Sequence, residues 1–344
     1  MRTVDLRSDT VTQPTPRMRE LMSKAVVGDD VYQEDPTVNQ LEAYGAELVG
    51  KEAALFVASG TMGNLVALMT HTHPGEEVIL EAEAHIYYYE VGGLCRIAGL
   101  VPHLLPGEGG IFTPEQLKKA LRPANIHYPK TTLLCLENTH NRAGGRVLPQ
   151  GQVEEIAEIA KEAGLKLHLD GARIFNAAAA SGIDVKTLAA PFDSVMFCLS
   201  KGLAAPAGSL LAGSAEFIAR ARKNRKILGG GMRQAGVLAA AGLESLEVMT
   251  KRLREDHQRA KRLAERLGSI PGLRIAAPVE TNIIMLDVTR PGVTAEQLVQ
   301  AWSASGIKAI ARSQYGIRLV THYQIDDADV DYVVDTTSAY FREL

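Results

Sequence analysis

From about residue 50 to 215 the chain alternates short apolar runs with amphipathic stretches, and this alternation restricts the fold more than any single motif. Strand, helix and strand in regular succession read as βαβ units, which close into a mainly parallel sheet covered by helices. Strands are predicted at ALFVA (within 53–58), EVIL (77–80), TTLLCLEN (131–138), LKLHLD (165–170) and DSVMFCLS (193–200). Between two of them, residues 152–164 carry one apolar stripe and end in Gly164, which predicts a crossover helix with a glycine C-cap. After GGGMRQAG (229–236) the texture changes. A charged helix at 251–268 precedes Pro271 and Gly272, then strands at 281–288 and 316–322 flank a helix at 294–306, and a last helix ends the chain. The expected fold is α/β: a large domain with a mainly parallel central sheet plus a smaller α+β C-terminal domain. The predicted boundaries are an N-terminal arm at 1–14, a large domain at 15–245 and a small one at 246–344, a division that 344 residues accommodate.

Composition narrows the partners. Lys+Arg total 37 against Asp+Glu 40, a net charge of −3, with 5% aromatic residues and no basic run, so no nucleic-acid surface is expected and a small molecule is. The three cysteines, Cys95, Cys135 and Cys198, form no CxxC pair, which argues against a disulfide framework or a zinc ribbon and fits a reducing cytoplasm. The N-terminus MRTVDLRSDT is charged from its second residue, so no signal peptide is expected. The most apolar window, 202–215, is broken by Gly and Pro and is too short to span a membrane.

In an open parallel sheet, ligands bind outside the carboxyl ends of the strands, so the residues just after each predicted strand are the candidates. Ser59-Gly60-Thr61 would open a helix, an arrangement that suits either a bound anion or a plain N-cap. His85 follows the next strand. Asp170 shares a strand face with His168, which leaves three readings: half of a metal pair, a carboxylate beside a ring nitrogen, or the cap of a turn. No further His/Cys cluster lies nearby, and no metal is expected. Lys201 follows a strongly apolar strand. A buried amine there would attack a carbonyl and form a Schiff base; a solvated one would merely end the strand.

Familiar signatures are missing or misplaced. Gly45 to Lys51 matches the start of a P-loop, but Glu52 stands where Ser or Thr belongs and helix-like sequence precedes it. No G-x-G-x-x-G follows a strand, and neither G-x-S-x-G nor H-E-x-x-H occurs. One ligand needs a phosphate cradle, a carboxylate for a pyridine nitrogen, an imidazole over a ring and a Schiff-base lysine together: pyridoxal 5′-phosphate.

DLRSDTVTQPT (5–15), VGDDVY (27–32), ALFVASGTMGN (54–64), LENTHN (136–141), HLDGARIFNA (168–177), SVMFCLSKG (194–202), GGGMRQAG (229–236) and RLVTH (318–322) resemble the low-specificity L-threonine aldolases nearly end to end. The resemblance implies an aspartate-aminotransferase-like, fold type I enzyme that cleaves L-threonine, L-allo-threonine and related β-hydroxy-α-amino acids to glycine and an aldehyde, reversibly. It also implies a homotetramer, a dimer of dimers with active sites shared between subunits. A β-eliminating lyase or aminotransferase using the same cofactor is the near alternative, and a non-catalytic nucleotide- or metabolite-binding module the distant one.

Carried over by position, the resemblance makes Lys201 the Schiff-base lysine, Asp170 the partner of the pyridine nitrogen and His85 the imidazole on the ring. Ser59, Gly60 and Thr61 would hold the phosphate, with Lys226 and Arg233 reaching it from a neighbouring subunit. Ser8, Arg173 and Arg318 would hold the substrate carboxylate, Arg173 also bordering the cofactor. His85 and His127 would lie near the substrate hydroxyl, either one or a water acting as base, and Tyr32 would approach from the partner. After LENTHN the chain reads RAGGRVLP where many relatives have the shorter GKVLP, so the site entrance is expected to differ, and Tyr87, Tyr88 and Tyr89 are expected to shape the side-chain pocket.

Overall fold

A computed structural model describes residues 2–343. All five predicted strands of the large sheet form, at Ala53–Val57 (β1), Glu77–Glu81 (β2), Thr131–Glu137 (β4), Lys166–Asp170 (β5) and Ser194–Cys198 (β6). Two more join them: Val101–Leu105 (β3) and Ser209–Gly213 (β7). The sheet order is β1-β7-β6-β5-β4-β2-β3, parallel throughout except for β7, which runs antiparallel to both its neighbours. Helices cover both faces, so the inner strands read as unbroken apolar runs instead of alternating ones. Phe56, Leu134, Leu169, Val195 and Phe197 are all fully or almost fully buried, each such side chain contributing roughly 1.5–3 kcal/mol relative to exposure.

The smaller sheet is antiparallel, with Leu273–Ile275 (β8), Ile283–Val288 (β9), Ile310–Ala311 (β10) and Gly316–Val320 (β11) in the order β10-β11-β9-β8. Helices Leu253–Gly268, Ala295–Ala304 and Asp327–Glu343 pack against it around the buried Trp302, whose indole N–H donates to Thr337 Oγ1 at 2.9 Å. The chain start is tied into this part: Val4–Asp5 pairs in parallel with Ile307–Lys308, and Val320 N donates to Leu6 O at 2.9 Å. From there residues 8–12 cross to the large sheet, where Thr12 Oγ1 donates to Lys201 O at 2.9 Å.

This topology sets the site. β1, β2, β4, β5 and β6 point the same way, so the segments after them, carrying Ser59, His85, Asn141, Asp170 and Lys201, gather at one edge. Among the described residues no helix is long and apolar enough to cross a membrane. Cys95, Cys135 and Cys198 are all unpaired thiols.

Candidate active site

The helix Gly60–His71 begins where β1 ends. Ser59 is its N-cap, accepting from Met62 N at 3.2 Å, which leaves the N–H groups of Gly60 and Thr61 ahead of the first intrahelical bond. Gly60 is required for the close approach of this helix to β6: a Cβ there would lie 2.9 Å from Cys198 Sγ. Aligned peptide dipoles and free donors at one point favour an anion.

Asp170 ends β5 and is 1% exposed. Its Oδ1 accepts from Ala172 N at 3.1 Å and its Oδ2 from Asn64 Nδ2 at 2.9 Å. A carboxylate has lone pairs for more than two donors, so one more can be taken. Asn64, on the first turns of the Ser59-capped helix, also donates to Glu90 Oε1 at 2.8 Å and meets His168 Nε2 through its Oδ1 at 3.1 Å. Burial pushes the His168 pKa down to about 4, so the ring is neutral. Its Nε2 then donates to Asn64 while Nδ1 accepts from Ser194 Oγ at 2.8 Å, which fixes the orientation of the Asn64 amide. His168 and Asp170, on one strand face, are thus linked through the Asn64 amide.

His85 Nδ1 lies 3.0 Å from Glu90 Oε1, and its backbone N–H donates to Glu137 Oε2 at 2.7 Å. Burial disfavours the charged ring, but the Glu90 hydrogen bond and the Asp170 charge outweigh it and raise the His85 pKa above its ordinary value, with Lys201 opposing. Burial next to Asp170 in turn raises the pKa of Glu90. Ligating atoms of His85, Glu90 and Asp170 lie within 4.8 Å of one another. Asn64 and the His85–Glu90 hydrogen bond account for that closeness without a cation.

Lys201, half-buried after β6, lines a cavity of about 440 Å³ with Ser8, His85, Arg173 and Arg318. Sequence positions 8, 85, 173, 201 and 318 thus converge on one space. Arg173 is 7% exposed and is gripped by Asp9, which accepts from its Nε at 2.8 Å and its Nη2 at 2.7 Å. Burial would raise the Asp9 pKa, but Arg173, Lys201 and Asn282 hold it well below the usual carboxylate range. The pair leaves Nη1 of Arg173 for a ligand. Arg318 donates from Nη1 to Asn141 Oδ1 at 3.1 Å and from Nη2 to Arg7 O at 3.3 Å. Burial and the Arg173 charge lower its pKa, although it keeps its proton. Ser8 caps the turn Asp9–Val11, accepting from Thr10 N at 3.2 Å.

Ser59, Gly60, Thr61 and Asp170 stand at the same sheet edge without lining this cavity, and four further predicted residues lie outside it. His127 is exposed in its loop, and Tyr32 is 70% exposed in the turn Asp30–Tyr32. Lys226 is exposed in the last turn of the helix Ala215–Ile227. Arg233 is exposed with its Nη1 3.3 Å from Asp29 Oδ2. Of the three tyrosines, Tyr89 borders the cavity and Tyr88 a neighbouring one of about 650 Å³, but Tyr87 borders neither. Arg142, directly after Asn141, lies between the two cavities, where it donates to Glu83 Oε1 at 2.8 Å and lies over the Tyr88 ring at 3.9 Å. Sequence reasoning missed Asp9, Asn64, Glu90 and Asn141. The LENTHN motif contained the last of these, and DLRSDT the first, without marking what each would hold.

Comparison with known proteins gives the family and the fold. The model of the beta-eliminating lyase family matches residues 5–291. The chain is 49% identical to low-specificity L-threonine aldolase 1 of Arabidopsis thaliana, over 97% of this chain and 95% of that protein. It is 44% identical to the low specificity L-threonine aldolase of Escherichia coli K12, over 94% of each. Among solved structures, the threonine aldolase of Leishmania major superposes with a TM-score of 0.83 at 20% identity, covering 98% of this chain and 99% of that one. A structure of SPT with PLP does so with a TM-score of 0.78 at 18% identity, covering 99% and 88%.

Proposed function

The chain belongs to the beta-eliminating lyase family and, within it, to the low-specificity L-threonine aldolases; on that premise we propose how its residues divide the work of splitting a β-hydroxy-α-amino acid. The reaction is the cleavage of L-threonine to glycine and acetaldehyde, and the cofactor is pyridoxal phosphate. We extend the substrates to L-allo-threonine and other β-hydroxy-α-amino acids, with the reverse reaction open to the same site.

The donor set fits that cofactor. An amine with no acidic partner (Lys201), a capped helix start with free N–H groups (Ser59, Gly60, Thr61) and a buried carboxylate with room for one more donor (Asp170) stand at one sheet edge. Lys201 would hold the cofactor's carbonyl, Asp170 its ring nitrogen, the helix start its phosphate, and His85 would lie against the ring. When bound, the cofactor supplies a protonated ring that takes up the electron pair left on Cα as the Cα–Cβ bond breaks.

The remaining steps belong to the protein. Arg318 and the free Nη1 of Arg173 fork onto the substrate carboxylate, assisted by Ser8, and so fix which bond at Cα stands perpendicular to the ring. His85, with its pKa raised by Glu90, accepts the β-hydroxyl proton directly or through a water. Lys201 returns to free the product. His127, Tyr32, Lys226 and Arg233 act on the site of a neighbouring subunit in a homotetramer; their exposure in a single chain supports this reading. Residues 15–245 serve as the cofactor-binding unit and 246–344 as the one that contributes Arg318. The three unpaired thiols support a cytoplasmic location.

The observation that carries the assignment is the convergence of Ser8, His85, Arg173, Lys201 and Arg318 on one cavity. The test is a product assay. Purified protein loaded with pyridoxal phosphate should yield equimolar glycine and acetaldehyde from L-threonine and from L-allo-threonine. 2-Oxobutanoate with ammonia in their place, the products of β-elimination from threonine, would make it a β-eliminating lyase.

A further inference from the structure

The cavity holds more positive charge than threonine can use. Arg142, Arg173, Lys201, Arg312 and Arg318 all line it, and no carboxylate does. Four of the five are accounted for: Arg173 by Asp9, Arg142 by Glu83, Lys201 by the cofactor and Arg318 by the substrate's α-carboxylate. Arg312 is left over. Among the described residues its guanidinium finds no acid, only the thioether of Met285, to which Nη1 donates at 3.2 Å, and sulfur is a weak acceptor.

Its place is built. Arg312 follows β10, whose Ile310 pairs with Arg318 on β11, and its backbone N–H donates to Gly316 O at 2.7 Å, closing a tight hairpin. The hairpin sets Arg312 at the cavity's exposed rim beside Arg318. There it also lines the neighbouring cavity of about 650 Å³, as Arg142 does, so the two spaces meet at these two guanidinium groups. Burial and the Arg142 charge lower the Arg312 pKa against the smaller opposing pull of Tyr89, Glu83 and Tyr88, and the Arg312 charge acts likewise on Arg318. Like charges are thus held together at a mouth where an incoming anion would relieve them.

We propose that the enzyme takes, besides threonine, β-hydroxy-α-amino acids whose side chain ends in a carboxylate, and that Arg312 binds that second carboxylate. The inference rests on the reaction assigned above. With the α-carboxylate on Arg318 and Arg173 and the amino group at the cofactor, the β-substituent is the part of the substrate free to reach the rim. The chemistry is unchanged: the Cα–Cβ bond breaks, the β-hydroxyl gives up its proton, Cα gains one, and the products are glycine and an oxo acid. Arg142 already serves Glu83 and Tyr88, and acts as the wall that turns the side chain toward Arg312.

The test compares substrates of one shape and different charge. The loaded enzyme should cleave L-3-hydroxyaspartate with a kcat/KM at least about tenfold above that for L-3-hydroxyasparagine, whose amide has nearly the same size, as expected for one hydrogen bond between charged groups. Arg312→Gln should lower the hydroxyaspartate value about tenfold to a hundredfold, leave threonine within about threefold, and be partly rescued by Arg312→Lys. Calorimetric binding of L-aspartate against L-asparagine, which lack the hydroxyl and are not cleaved, should show the same preference in the wild type and lose it in Arg312→Gln. Equal rates on the charged and amide substrates would overturn the proposal, as would an equal loss on threonine in Arg312→Gln. Should the wild type fail to cleave threonine, the reaction assignment fails, and the aspartate to asparagine binding ratio still decides for or against Arg312.

Discussion

Replacing Asp9 with Asn would leave Arg173 charged, buried and without its acid. The two side chains are 0% and 6% exposed and share two short hydrogen bonds, at 2.7 and 2.8 Å. Breaking a buried pair by removing one partner typically costs about 3–5 kcal/mol, because the remaining charge is stranded. Asn keeps one acceptor, which puts the expected loss near about 3 kcal/mol, or roughly 4 °C in Tm for a chain of this size. Thermal and urea unfolding of loaded wild type and Asp9→Asn measure it. The sign of the pH dependence follows from the depressed Asp9 pKa: its stabilisation is present above the ordinary carboxylate pKa and is lost as the pH falls toward the folded one. The gap between wild type and variant should therefore close in acid. A second variant isolates the cause. Asp9→Leu with Arg173→Met removes both charges and should recover most of the stability while losing affinity for the substrate carboxylate. A double variant as unstable as Asp9→Asn would refute the view that a stranded Arg173 charge is the penalty and that the pair is kept for binding.

Glu90→Gln removes the charge that raises the His85 pKa, so the acid limb of kcat/KM for threonine should move to lower pH; a limb that stays in place would exclude His85 as the base. Arg318→Gln should raise KM for threonine about tenfold to a hundredfold with kcat changed far less, measured by steady-state kinetics. Gly60→Ala drives a Cβ to within 2.9 Å of Cys198 Sγ and should destabilise the fold by about 1–3 kcal/mol and loosen the cofactor, read by unfolding and by dialysis against pyridoxal phosphate. If Arg233 serves the neighbouring site, co-expressed Lys201→Ala and Arg233→Ala chains should regain about a quarter of wild-type activity, since only hybrid pairs contain one site intact in both residues.

The sequence exposes the residues that stand at the ends of buried strands, and little else of the site. Lys201, Asp170 and Ser59 follow apolar runs long enough to fix a strand, so their position at the sheet edge follows from the pattern. β3 escapes the same reading because it is an edge strand with Pro102 in it and is half-exposed, and β7 because one glycine precedes it and another is its last residue. The arm is harder still. Val4–Asp5 pairs with Ile307–Lys308 over two residues only, which gives no periodicity to detect, yet it steers Ser8 and Asp9 to the cavity. Asp9, Glu90 and Asn64 look like ordinary surface polar residues in sequence. What makes them functional is the set of partners that burial brings to them across long stretches of chain, such as Arg173 for Asp9 and Asp170 for Asn64.

The central claim is that Lys201 is the amine on which the reaction turns. Borohydride reduction of the protein loaded with pyridoxal phosphate, followed by digestion and mass mapping, tests it most directly. The account predicts one pyridoxyl mark per chain, on Lys201, lost together with acetaldehyde formation in Lys201→Ala. A mark on another lysine, or threonine cleavage that survives in Lys201→Ala, would contradict it.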